Sequence, residues 1–250
     1  MQNTDKDRQP AVAGTFYPAG RAELTRMVAG FLADAKPAST NGTVRALVVP
    51  HAGYVYSGGV AASGFNQLDP DQAYQNVFIL ASSHRVSLGK ASVYTRGDYL
   101  TPLGKVEVNR EISKKLAANR DFFTDDPVAH IQEHSIEVQL PFLQTILKKP
   151  FQIVPIVLAS QVPAVCEGVA EALRPFFTPD NLFIVSADFS HYPPYEEAIL
   201  VDAATAEAFC KNAIPSFLAV LKANERKGIA GLATSMCAWP SALVLLHLTE

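Results

Sequence analysis

No block of lysine and arginine occurs in the 250 residues, and the formal net charge is -3. That balance argues against nucleic acid or an anionic membrane as the main partner. The most basic spots, Lys114–Lys115 and Lys148–Lys149, close helix-like patterns and read as solvated surface. No apolar run is long enough to cross a bilayer. The first ten residues, MQNTDKDRQP, are charged and polar, unlike a secretory signal. Cysteine is scarce: the three residues Cys166, Cys210 and Cys237 are widely spaced and form no C-x-x-C. An odd count without a signal pattern leads us to expect reduced thiols and a cytoplasmic protein. The glycine-rich stretch YVYSGGVAASG lacks both G-x-G-x-x-G and a terminal G-K-[ST], which excludes a dinucleotide or P-loop reading. GLATS is not G-x-S-x-G, which weakens a serine hydrolase. No internal repeat or low-complexity tract is present.

What is there is a large apolar fraction, 48%, enough for a substantial core in one domain over 1–250. The runs RALVVP, NVFILAS, FQIVPIVLAS and NLFIVSADFSH do not alternate, so they read as strands buried on both faces. Helical patterns at 21–34, 109–118, 134–147 and 162–177 lie among them, and a Pro/Ser/Thr/Asn/Gly linker spans 37–42. This is α/β organisation: one three-layer domain, a mostly parallel or mixed sheet flanked by helices. Segment 91–108 differs and predicts an added hairpin or antiparallel edge. After 200 the chain reads as helix interrupted by Pro215, then a last helix capped by Thr234 or Ser235 with Pro240 in its first turn.

Three of the strands end on histidine. His51 follows ALVVP, His84 follows NVFILASS, and NLFIVSADFSH delivers Asp188 and His191. In a parallel sheet the carboxyl ends of the strands share one rim, so these side chains are expected to face one crevice. Imidazoles, a carboxylate and a nearby thiolate are the usual ligands of Zn, Fe or Cu. In EHSIEVQLPFL, His134 and Glu137 lie three apart, on one face of an expected helix, with Glu133 pointing elsewhere. His134 could enter the crevice, whereas a cap is the plainer role for Glu133 or Ser135. Cys237 precedes the last helix, where a helix N-terminus stabilises a thiolate. Cys166 and Cys210 fall inside helical patterns and read as small buried apolar residues. Gly58 and Gly59 are expected to let the backbone pass close to His51.

Together the stretches AGTFYP (13–18), PHAGYVYSG (50–58), SSH (82–84), EHSIEVQLPFL (133–143), SADFSHY (186–192) and MCAWP (236–240) resemble the MEMO family across nearly the whole chain. That family is similar in fold to the class III, LigB-type extradiol dioxygenases, whose non-haem Fe(II) is held by two histidines and a carboxylate. The resemblance implies His51 and His84 as metal ligands, with Cys237 where the dioxygenases place a glutamate. Asp188, His191 and His134 would be the catalytic groups beside the metal. Fe(II) is the first expected occupant, with Cu or Zn as alternatives. The resemblance also implies a radical SAM protein and an AMMECR1-like protein as partners. Two departures stand out. Ala238 and Trp239 follow the cysteine where the family often has glycine, and the chain ends at Glu250 where the family continues into strand-forming sequence, so an edge segment of the sheet is expected to be missing.

Three functions follow as expectations. The first is a mononuclear His51/His84/Cys237 metal site, with redox or dioxygenase-like chemistry on an unknown small molecule and His191 moving protons. The second is a metal-free thiol enzyme with Cys237 as nucleophile, His191 as base and Asp188 as orienter. The third is a non-enzymatic scaffold that takes a peptide or partner protein between Phe16, Tyr17, Tyr54, Tyr56, Tyr192 and Tyr195.

Overall fold

The computed structural model describes residues 7–39 and 42–250. The first six residues of the polar N-terminus and positions 40–41 of the linker lie outside the described residues. In chain order the elements are α1 (Arg21–Asp34), β1 (Ala46–Val49), α2 (Tyr54–Phe65), β2 (Asn76–Ser82), β3 (Ala91–Val93), β4 (Tyr99–Thr101) and β5 (Gly104–Val106). There follow α3 (Arg110–Ala117), β6 (Phe123–Thr124), α4 (Val128–Ile131), a 3-10 turn (Glu137–Gln139), α5 (Leu140–Ile146), β7 (Gln152–Leu158) and α6 (Pro163–Leu173). The chain then forms β8 (Asn181–Ser186), α7 (Tyr195–Cys210), α8 (Ile214–Arg226) and α9 (Trp239–Thr249).

Six strands make one sheet in the order β1-β8-β2-β7-β3-β6. β1, β8, β2 and β7 are mutually parallel; β3 runs antiparallel to β7 and carries β6 beside it. β4 and β5 form a separate hairpin. Segment 91–108 thus supplies both an antiparallel strand and a hairpin.

Every residue of β2 and β8 is buried. Their continuous apolar sequence follows from helices covering both faces. Val77, Ile79, Ala81, Leu182 and Ile184 belong to the core that also contains residues of α1, α2 and α5. Phe78, Leu80, Phe183 and Val185 belong to the core shared with α6 and α9. Phe78 and Phe183 are register partners whose rings stack at 4.6 Å, a pair worth about 1 kcal/mol beyond its burial. β1 lies at the edge of the sheet, and only Val49 in it is fully buried.

Several helices differ from the sequence pattern. The expected helix over 134–147 starts only with the 3-10 turn at Glu137, so His134 and Glu137 do not share a helix face. Pro215 does not interrupt a helix; it is the second residue of α8, where its missing N–H costs nothing. The break falls earlier, at Asn212, which has φ 50°. α9 has no side-chain cap from Thr234 or Ser235, although Pro240 stands in its first turn. Gly58 serves the contact between α1 and α2 rather than the backbone near His51. A Cβ there would lie 2.4 Å from the Phe31 ring, while one at Gly59 would meet open space. None of the described helices is long and apolar enough to cross a membrane.

Candidate metal centre

The register of the central strands assembles the site. Ser186 at the end of β8 is paired with Val49 of β1 on one side and Ala81 of β2 on the other. Two residues beyond Val49 is His51, two beyond Ser186 is Asp188, and three beyond Ala81 is His84. All three therefore leave the sheet at one rim, the usual place for ligands in such folds. His134 reaches the same place from the turn before α5. Ligand atoms of His51, His84 and His134 lie within 4.8 Å of one another. The His51 ring stands edge-on to both others, with centroids 5.1 Å from His84 and 5.4 Å from His134.

Hydrogen bonds fix which nitrogen each ring offers. The Ser186 hydroxyl donates to the Ser135 carbonyl at 2.6 Å, so toward His51 it accepts: Nδ1–H of His51 donates to it at 3.0 Å. The Nε2 lone pair of His51 is left facing Cys237 Sγ at 3.3 Å and Asp188 Oδ2 at 3.7 Å. Nδ1–H of His84 donates to Oε1 of Glu133 at 2.9 Å, which again leaves Nε2 as the free donor atom. Such tethering of the far nitrogen is what orients metal-binding histidines.

Protonation states agree with this. Burial drives the pKa of His51 down to about 4, with Asp188 opposing and the other imidazoles assisting. His134 is also lowered, chiefly by burial and against the pull of Glu133. Burial alone would raise Glu133, yet the hydrogen bonds and charge of His84 and the N–H groups of His84 and Ser135 bring it down to about 2. Neutral imidazoles held by a fixed anion are competent to take a metal. Burial and the Asp188 charge push the Cys237 thiol up to about 12. Without a metal, then, Cys237 is a thiol that donates to His51 Nε2; the thiolate expected from the nearby helix end does not form. The donor set fits a soft or borderline metal.

The other expected residues fall as follows. Asp188 Oδ1 accepts from the N–H groups of His51 at 2.7 Å and Ala52 at 3.3 Å, locking the turn after β1. Its own N–H donates to Cys237 Sγ at 3.3 Å, while Cys237 N–H donates to the Asp188 carbonyl at 3.1 Å. Nδ1–H of His191 donates to the Phe189 carbonyl at 2.8 Å, leaving Nε2 as acceptor. The His191 backbone is bridged to Thr234. The nucleophile–base–orienter order expected of a thiol enzyme is not assembled: the imidazole against Cys237 is His51, and Asp188 binds the backbone of His51. A cleft of about 580 Å³ is walled by the three imidazoles, Asp188 and His191, with Phe16, Tyr56 and Tyr192 around it. Tyr17 and Tyr54 are not on this rim but in the core, bonded to the Glu137 carboxylate and the Val138 carbonyl. Tyr195 is exposed at the start of α7.

Glu133 is the residue that sequence reasoning missed. Besides His84 Nδ1, its carboxylate accepts from the N–H groups of His84 at 2.7 Å, His134 at 3.0 Å and Ser135 at 3.1 Å, and from the Ser135 hydroxyl. It points into the site, not away from it. Its adjacency to His134 was the available signal. Ser186 and Gln139 were missed too: Gln139 Nε2 donates to Ser186 Oγ at 2.8 Å, holding the acceptor that orients His51. Glu137 has a different task. It binds Arg8, Tyr17 and the N–H groups of Ala11 and Val12, tying the N-terminal segment to the turn that carries Glu133 and His134.

Comparison with known proteins agrees with these residues. A family model described as Memo-like protein matches residues 8–250. A MEMO1 family protein of Thermotoga maritima is 36% identical over 96% of this chain and 88% of its own length. One from Sulfolobus acidocaldarius is 38% identical over 78% of this chain and 73% of its own. One from Thermococcus onnurineus is 39% identical over 75% of this chain and 66% of its own. By the extent of the family match and these identities, the chain belongs to the Memo-like protein family.

Proposed function

We propose that the protein holds a single metal ion through Nε2 of His51 and Nε2 of His84, with Cys237 or His134 supplying the third ligand. One observation carries the reading: both histidines have Nδ1 tied back, to Ser186 and to Glu133, so both present a lone pair to the same point. Cys237 has the stronger case for the third place, because its sulfur already lies against His51 Nε2. His134 has the nearness of its ring nitrogen to both others. Imidazole with thiolate favours Fe(II), Cu or Zn over Mg or Ca, and we take Fe(II) as the first occupant.

When bound, Fe(II) supplies redox capacity for a small molecule in the cleft, in keeping with a dioxygenase-like ancestry. The chain's own residues do the rest. Asp188 fixes the backbone of His51. His191 offers Nε2 to take a proton from the bound molecule and return it. Phe16, Tyr56 and Tyr192 shield the cleft from water. Metal analysis of anaerobically purified protein tests the proposal. Wild type should carry close to one equivalent, H51A and H84A should lose it, and the weaker of C237A and H134A identifies the third ligand. Equal metal content in all four variants and wild type overturns the proposal.

A second reading rests on a separate observation. Tyr56 and Tyr192 are 86% and 82% exposed at the rim, a large aromatic display for a water-facing surface. The cleft would then seat a peptide or protein, among which a radical SAM protein and an AMMECR1-like protein are the first to try. Co-purification lost in Y56A/Y192A but kept in H51A/H84A supports this reading; loss in H51A/H84A alone counts against it.

A further inference from the structure

Behind Cys237, on the side away from the imidazole cleft, lies a second cavity of about 210 Å³. It shares no lining residue with the cleft, and Cys237 forms part of its wall. We propose that this cavity is a separate subsite for a small carboxylate, and that it adjoins the proposed metal centre through Cys237.

The first argument is an unmet polar group. Ser82, the last residue of β2, lines the cavity and is only 7% exposed. Its hydroxyl has no hydrogen-bond partner. Its side chain lies on the face of β2 that also carries Phe78 and Leu80, the face covered by α6 and α9. A buried hydroxyl without a partner is costly, and native structures keep few of them without a reason.

The second argument is the surrounding potential. The cavity sits where β7 runs out through Ala159, Ser160 and Gln161 into the start of α6, and where Pro240 lies in the first turn of α9. Both helices have eleven residues, and neither N-cap makes a side-chain hydrogen bond. Their positive ends therefore face the cavity without a built-in anion. Among the described residues, the lining contains hydroxyls, an amide and a thiol but no carboxylate and no basic side chain. Hydroxyl donors and two helix ends favour a negative charge, and the lack of arginine or lysine limits it to one. The volume exceeds the roughly 30 Å³ share of one water and suits a molecule of several heavy atoms.

The proposal does not depend on a metal, so its test is kept apart from metal content. Acetate is titrated into uniformly ¹⁵N-labelled protein, as purified and again after chelation, and amide resonances are followed. Saturable shifts at Ser83, Ser87, Ser160 and Gln161, with a dissociation constant in the millimolar range, are expected in both preparations. S82A should weaken binding about five-fold, the worth of one hydrogen bond, without harming the fold. S82V, which fills the space beside the lost hydroxyl, should abolish it. Absence of saturable shifts at these four residues in about 100 mM acetate overturns the proposal. Shifts confined to His51 and His134, or binding unchanged in S82V, overturn it equally.

Discussion

Nδ1 of His84 donates to Oε1 of Glu133 at 2.9 Å, across 49 residues of sequence. The same carboxylate accepts the backbone N–H of His84, of His134 and of Ser135. One buried anion thus orients one imidazole and holds the backbone of a second. It also holds negative charge beside the point where a metal cation would sit.

Glu133→Gln keeps the shape and removes the charge. Partners of this kind are worth about 10–100-fold in metal affinity. E133Q should therefore still bind metal at saturation, but with affinity reduced by that factor in competition with a chromophoric chelator. Unchanged affinity would mean that Glu133 is only a backbone cap.

The Arg8–Glu137 pair predicts a stability effect remote from the metal. Both side chains are buried, and Arg8 also donates to the carbonyls of His130 and Glu133. Removing one member strands the other charge, a loss of about 3–5 kcal/mol. R8M and E137Q should each show it in urea denaturation. The double variant R8M/E137L should lose much less than the two single losses added together. Additive losses would show that the two residues act separately.

His130 gives the acid sensitivity its sign. It is fully buried between Tyr99 and Ser92, beside the Tyr94 ring, with Arg8 on its carbonyl and Glu133 nearby. Ser92 Oγ donates to the Asp126 carbonyl, so His130 Nε2–H donates to Ser92 and Nδ1 accepts from Tyr99. Burial, aided by the Arg8 charge, lowers its pKa to about 3, although Ser92 and Glu133 pull the other way. The unfolded chain takes up this proton near pH 6.5 and the folded one does not. Stability is therefore whole above about pH 6.5 and falls as pH drops toward 3. By pH 5 the loss is about 2 kcal/mol for this one group. In metal-free protein His51 adds a loss of the same sign, so H130Q should about halve the slope of stability against pH between 6.5 and 5. An unaltered slope would place the acid sensitivity elsewhere.

The sequence made much of this legible, because strand ends are local events. ALVVPH and NVFILASSH each show a buried run meeting an imidazole, and the parallel sheet does bring those ends together. The family stretches located the rest of the rim. What stayed hidden depends on distant partners. Glu133 looks like an ordinary cap until β2 delivers His84 to it. Arg8 reads as one more charge in a polar N-terminus until Glu137 folds over it. The EHSIE stretch has helical spacing, but the Glu133 carboxylate takes the N–H groups of His134 and Ser135 and holds that part as a turn. Tyr17 and Tyr54 look like rim aromatics and are core residues, since each hydroxyl finds a buried acceptor.

Cys237 provides a test that separates the metal reading from a thiol nucleophile. Burial and the neighbouring Asp188 charge raise its thiol to about 12, and its proton is shared with His51 Nε2. A nucleophile needs the thiolate, so metal-free Cys237 should react slowly with iodoacetamide at neutral pH. Its rate should keep rising about ten-fold per pH unit through the alkaline range, since the thiolate fraction grows by that factor below the pKa. Asp188→Asn removes the repelling charge and should speed the reaction at a given pH. Peptide mapping by mass spectrometry distinguishes Cys237 from the exposed Cys210. A rate for Cys237 that levels off below about pH 8, in protein stripped of metal, would mean an acidic thiol and would restore the nucleophile. A continuing rise leaves Cys237 needing a metal ion to become a thiolate, which is the role a ligand would give it.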